Sequence, residues 1–176
     1  MKLNTKRFST LGILVFFFSL FAYNGGNAMG LLGRKIYLFS SVTGVITLHH
    51  KPAVGARIVR TVKWHNKDYS DEAVTGADGS FTMPPMEGPG RQLMAEFVAF
   101  QSIAVQYQGK TWPIWGLTKG DERLNHELID KNNINTDGMP IKFSCELSDP
   151  ERYIQLLSAV LETNCTFHTG IGELLS

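Results

Sequence analysis

Beyond its first thirty residues the chain has no long apolar run, and no segment there is long and apolar enough to span a bilayer. Neither sign of charge dominates, with 17 Lys+Arg against 16 Asp+Glu. That balance, and the lack of a zinc-finger, RNA-recognition or helix-turn-helix signature, gives a nucleic-acid role little support. There is no HExxH, no zinc-type Cys/His spacing and no Gly-x-Ser-x-Gly elbow, so none of the common hydrolase signatures is present. No internal repeat occurs, and no low-complexity tract outside the N-terminus. Cysteine is scarce: Cys145 and Cys165 are the only two, and two cysteines alone make a poor metal site.

The N-terminus is the one strongly apolar part. Lys2, Lys6 and Arg7 precede an uncharged stretch, Phe8 to Tyr23, and small residues follow with Gly26 and Ala28 two apart. This order describes a secretory signal peptide over 1–28, with cleavage expected after Ala28 and a retained membrane anchor as the alternative. Cleavage removes three basic residues and no acid, turning the net charge slightly negative. Export would place the cysteines in an oxidising compartment, where an even count suggests a Cys145–Cys165 disulfide. Its loop of about 20 residues would contribute about 3 kcal/mol on the chain-entropy model. Residues 29–67 carry seven basic side chains and no acid. Either later acidic strands pair with them, or they form a basic face for an anionic partner.

Short strand-like runs follow: Lys35–Phe39, Val42–Leu48, and the β-branched Ala56–Trp64. "HNKDYSDE" reads as a polar loop or hairpin end, and "GADG" as a turn between Ala73–Thr75 and Ser80–Met83. The stretch 91–97 fits a short helix or a strand. Ile103–Gln108 and Thr111–Leu117 read as a hairpin around Gly109-Lys110, with Pro113 marking an edge or a bulge. Residues 118–138 read as a polar loop. Ile141, Phe143, Cys145 and Leu147 alternate with polar residues, the pattern of a half-buried strand. Ser148 and Glu151 have capping-box spacing around Pro150, and Tyr153, Ile154, Leu157, Val160 and Leu161 form a stripe, which together predict a helix over 150–162.

Val42-Thr43-Gly44-Val45-Ile46, Pro52, Gly55-Ala56-Arg57-Ile58 and Ala77-Asp78-Gly79-Ser80-Phe81 resemble the carboxypeptidase regulatory-like domain. The match covers roughly residues 40–85. "YQGKTWPIWGLTK" and "IKFSCEL" look like later parts of an uncharacterised bacterial exported family built on that domain. The resemblance implies a mainly β fold, a transthyretin-like Greek-key β-sandwich of about seven strands. The sandwich is expected to cover 29–147, ending in the strand Ile141–Leu147, with the predicted helix and a tail over 148–176 packed on it as a C-terminal strand–helix appendage. It also marks Gly44, Pro52, Gly55, Ala56, Asp78, Gly79 and Phe81 as fold motif rather than chemistry. Some transthyretin-like enzymes end in Tyr-Arg-Gly-Ser; this chain ends in "GIGELLS", so that activity is not implied.

Within this pattern His49-His50 occupies a place where such domains usually carry a turn pair such as Asn-Gly. The pair is therefore expected at an exposed hairpin tip, where a positive φ costs histidine on the order of 1 kcal/mol relative to glycine. It is either a tolerated substitution or part of a contact surface whose charge responds to pH in the histidine range. His65, His126 and His168 all fall in predicted loops. Trp112 and Trp115, three apart, would face opposite sides of an ideal strand unless a bulge at Pro113 intervenes. An exposed one, with Tyr107, could anchor a sugar or a protein. No residue is assigned a catalytic role, and no cofactor or metal is expected. Three function classes follow. The first is a periplasmic or secreted binding protein meeting another envelope protein, in its most specific form an immunity-type protein neutralising an antibacterial toxin. The second is a glycan- or peptidoglycan-binding accessory. The third is a small metal-dependent enzyme using His49, His50 and His126.

Overall fold

The computed structural model describes residues 36–89, 96–121, 141–156, 159–169 and 172–173. The expected signal peptide, most of the ambiguous stretch 91–97, and most of the expected loop 118–138 with His126 lie outside them. In chain order the strands are β1 (Ile36–Phe39), β2 (Val42–Leu48), β3 (Lys51–Pro52), β4 (Arg57–Trp64), β5 (Lys67–Val74), β6 (Ser80–Met83) and β7 (Met86–Gly88). There follow β8 (Ala99–Tyr107), β9 (Lys110–Lys119), β10 (Ile141–Glu146), β11 (Arg152–Gln155), β12 (Val160–Thr163), β13 (Cys165–Thr169) and β14 (Gly172–Glu173).

One six-stranded sheet runs β11-β12-β9-β8-β4-β5. The other runs β14-β13-β10-β2-β3, with β6 also on β2. A separate antiparallel pair joins β1 to β7. Among the described residues every pairing is antiparallel except β2 with β10, which run parallel from Val42 beside Ile141 to Thr47 beside Glu146. Period-2 alternation gives most of the longer strands one apolar face, and two such faces stacked together make a β-sandwich. A chain of aromatic contacts crosses the interior: Phe39 to Trp115 at 5.3 Å, then Trp115 to Phe167, Phe167 to Phe143, and Phe143 to Phe81, each at 5.8 Å between ring centroids. Gly44 sits where a Cβ would come within 2.7 Å of the Phe81 ring and 2.8 Å of Phe143, so a side chain there would displace both.

The first strand is held by buried polar side chains from the facing sheet. Arg60, fully buried, donates to the Ser40 carbonyl at 3.0 Å and the Pro84 carbonyl at 2.7 Å, and its guanidinium lies 5.1 Å from the Phe39 ring centroid. Its charge is met by Asp71. Gln101 donates to the Leu38 carbonyl at 2.8 Å, and Lys119 to the Tyr37 carbonyl at 2.9 Å. A buried carbonyl without a donor would carry its full desolvation penalty, which explains three long polar side chains on an inward face.

Four expectations need correction. The helix over 150–162 is instead the β11–β12 hairpin, with Arg152 beside Thr163 and Gln155 beside Val160. β12 joins β9 through Glu162 and Gly116, while β13 joins β10, so this stretch builds both sheets instead of appending a helix. The apolar residues that suggested a helical stripe alternate in burial here: Leu161 is buried, while Tyr153 and Val160 are exposed. Sheet pairing overrides the local helix signal, as tertiary context commonly does. Ser148 does not cap a helix; its hydroxyl and amide donate to Glu146. "HNKDYSDE" is a hairpin end at His65-Asn66 only; the rest lies in β5, an edge strand whose polar side chains face solvent and whose Asp71 reaches Arg60. Finally, His168 lies in β13 rather than a loop.

Candidate functional site

Among the described residues, three two-residue hairpin loops have both residues at positive φ: His49 (52°) and His50 (60°), His65 (47°) and Asn66 (58°), and Gln108 (49°) with Gly109 (73°). This backbone is the type I′ turn that matches strand twist, and it normally favours Asn-Gly. The expected tip is therefore present, with Leu48 paired to Lys51 across it. Both histidines are exposed.

The turn is held from the neighbouring strand. Glu146, the last residue of β10, accepts the His49 amide at 2.8 Å on one carboxylate oxygen and the His50 amide at 2.9 Å on the other. Ser148 adds its amide at 3.1 Å and its hydroxyl at 2.6 Å. Successive amides of left-handed residues form a concave nest suited to an anion, and here a side chain fills it. The carboxylate is only 10% exposed. Burial by itself pushes its pKa up, but hydrogen bonds from the Ser148 hydroxyl, the His50 and Ser148 amides and Thr47 outweigh that and hold it down at about 2. The His50 ring nitrogen Nδ1 stands 3.8 Å from the same carboxylate.

Beside the turn lies a cleft of about 290 Å³. Leu48, His49, Lys51 and Pro52 form one wall, and Tyr107 and Gln108 of the β8–β9 turn form the other. Two hairpin tips, one from each sheet, thus meet at one end of the sandwich. Their meeting was not visible in either local pattern, and neither was Glu146, which lies 96 and 97 residues from the amides it receives. Its alternation in β10 marked it only as an outward polar residue.

The tryptophans are rearranged by a bulge. The register shifts between Ile103 and Ala104, so Ile103 faces Trp115 while Ala104 faces Pro113, leaving Ile114 as the extra residue. The bulge turns Trp112 and Trp115 to the same side. Trp115 is 2% exposed, with its Nε1 donating to Gln101, and cannot serve as a contact residue; Trp112 is half-buried against the core. His65 stacks edge-on to Trp64 at 4.3 Å, and His168 Nε2 lies 2.9 Å from Ser144 Oγ. His126 lies outside the described residues, and among the described ones no group of three His, Cys, Asp or Glu side chains could hold a metal ion.

The residues marked as fold motif lie in turns and in the core. Gly79 has φ 78°, and a Cβ there would sit 2.4 Å from the Ile46 carbonyl. Asp78 accepts the Ser80 hydroxyl at 2.6 Å and its amide at 3.0 Å, and these bonds lower its pKa. Phe81 and Ala56 are buried, whereas Pro52 and Gly55 are exposed in the turn region beside the histidines. Cys145 and Cys165 are a cross-strand pair in β10 and β13, bonded to each other and buried. Among the described residues no helix is long and apolar enough to cross a membrane.

The described residues thus define a mainly β sandwich domain with a strained, carboxylate-held turn and a polar cleft at one end. A family model described as a domain of unknown function, DUF6795, matches residues 42–150, and the chain belongs to that family. No curated protein matches the chain, and no solved structure does.

Proposed function

We propose that the chain is an exported, non-enzymatic binding protein that meets another protein of the bacterial envelope through the end bearing His49, His50 and the adjoining cleft. The observation that carries this reading is the construction of that tip. Two histidines stand in left-handed conformations at about 1 kcal/mol each, where glycine would relieve the cost. A half-buried carboxylate from a distant strand holds them there and leaves both side chains in solvent. Backbone strain kept in place by surrounding structure clusters at contact and binding sites. The resemblance to carboxypeptidase regulatory-like domains, which serve mostly as accessory and interaction modules, agrees with it. Neutralisation of a secreted antibacterial toxin is the most specific form of this proposal.

The test compares wild type with the His49→Asn/His50→Gly double variant in capture from envelope extracts. The variant should fold with an unchanged or higher Tm and lose the partner that wild type recovers. Retention of every wild-type partner by a folded variant, or no specific envelope partner for wild type, overturns the reading. A glycan-binding reading is favoured by Tyr107 and the half-buried Trp112 near this end, rather than by the buried Trp115. It expects tryptophan fluorescence to change on titration with peptidoglycan fragments, and an unchanged spectrum counts against it.

A further inference from the structure

We infer that the cleft between the His49-His50 and Gln108-Gly109 turns is a subsite for a single carboxylate group, carried by the end of a peptide or by an acidic sugar. The inference rests on the proposed contact surface and names the chemistry that surface would receive.

Three observations converge. The lining is rich in donors and contains no acid: Lys51, His49, Tyr107 and Gln108 all present donor-bearing side chains, with Leu48 and Pro52 as the apolar part. Lys51 is exposed and forms no ion pair among the described residues, so its charge is not neutralised by the protein. The carboxylate that holds the turn, Glu146, forms no ion pair with Lys51 and does not line the cleft. Its two oxygens already accept four hydrogen bonds, from the His49 and His50 amides and from the amide and hydroxyl of Ser148. A cation beside neutral donors, in a cleft whose lining holds no acid, selects a small anion that can also accept hydrogen bonds. A volume of about 290 Å³ is at the lower end for ligand pockets and suits one terminal group rather than a whole ligand.

The experiment follows amide chemical shifts of the full chain by NMR against four probes. N-acetyl-alanyl-alanine and glucuronate carry the carboxylate; N-acetyl-alanyl-alanine amide and glucose do not. Shifts at Lys51, Tyr107 and Gln108 are expected with at least one carboxylate and not with its neutral counterpart, and whichever carboxylate acts identifies the source. Lys51→Gln should raise its Kd about tenfold at unchanged Tm, and Tyr107→Leu should weaken it as well. The inference is overturned if neither carboxylate shifts these amides at millimolar concentration, if the neutral probes bind equally, or if Lys51→Gln has no effect. Failure here, with partner capture still lost in His49→Asn/His50→Gly, would discard the carboxylate subsite and leave the contact surface standing. Carboxylate binding with no partner would do the reverse.

Discussion

The turns at His49-His50 and His65-Asn66 share length, backbone and a leading histidine, yet they are secured differently. At the first, a half-buried carboxylate from β10 receives both turn amides. At the second, no carboxylate among the described residues does so, and His65 instead lays its ring edge-on to Trp64 at 4.3 Å. Asn66 tolerates the left-handed region better than His50 does, because its short amide side chain can bond locally. The first turn is therefore held by an acceptor from outside the hairpin, and the second by its own residues. The difference shows where conformational cost is met: by sequence at one tip, by tertiary structure at the other.

The strongest way to break the comparison is to release the strand that delivers Glu146. Cys145 is its neighbour, and replacing both cysteines with serine should lower stability by about 3 kcal/mol. In hydrogen exchange, the His49 and His50 amides should lose protection while β4 and β5 around His65-Asn66 keep theirs. Glu146→Ala comes next. It leaves two turn amides and the Ser148 donors without their acceptor, at a cost of about 2 kcal/mol by denaturant unfolding. Glu146→Gln should recover part of this. Acid should act on the same group. Glu146 is held at about 2, below its ordinary 4.5. The stability it contributes is therefore whole above about pH 5 and is lost as pH falls toward about 2. The Glu146→Ala variant should lack that part of the acid transition, and an identical pH profile for the two proteins would sink the assignment. The smallest effects belong to the turns themselves. Asn66→Gly and His50→Gly should each stabilise by under about 1 kcal/mol. His50→Gly should gain no more than Asn66→Gly, because it gives up the 3.8 Å approach of imidazole to carboxylate.

Much of this was legible where one face of a strand is buried. Val42–Leu48 and Ile141–Glu146 follow their alternation to the residue, and the place of the histidine pair at a hairpin tip followed from the flanking pattern. Legibility failed where a residue's partner lies far along the chain. The stretch 150–162 carried a helical stripe and a capping pattern, but the open edge of β9 recruited it as a hairpin. Lys67–Val74 looked too polar for a strand because it borders the sheet with one face in solvent and with Asp71 committed to Arg60. Arg60, Gln101 and Lys119 gave no local sign that they would be buried, since their acceptors are distant carbonyls, Ser40 and Pro84 for Arg60 and two residues of β1 for the others. For the tryptophans, a single extra residue at Ile114 reversed the faces that simple counting gives.

The parallel pairing of β2 with β10 also bears on the order in which the molecule is assembled. β2 meets β3 within a few residues, but its other neighbour arrives about 100 residues later. Closing so long a loop costs entropy before any contact repays it, and topologies of this kind fold slowly. Until β10 docks, β2 has one open edge and the His49-His50 turn lacks the carboxylate that holds it. The tip can take its final shape only once β10 is in place beside β2, because β10 carries the carboxylate that holds it. A ligand or partner that reads that tip would then recognise the completed sandwich and pass over a chain still short of β10.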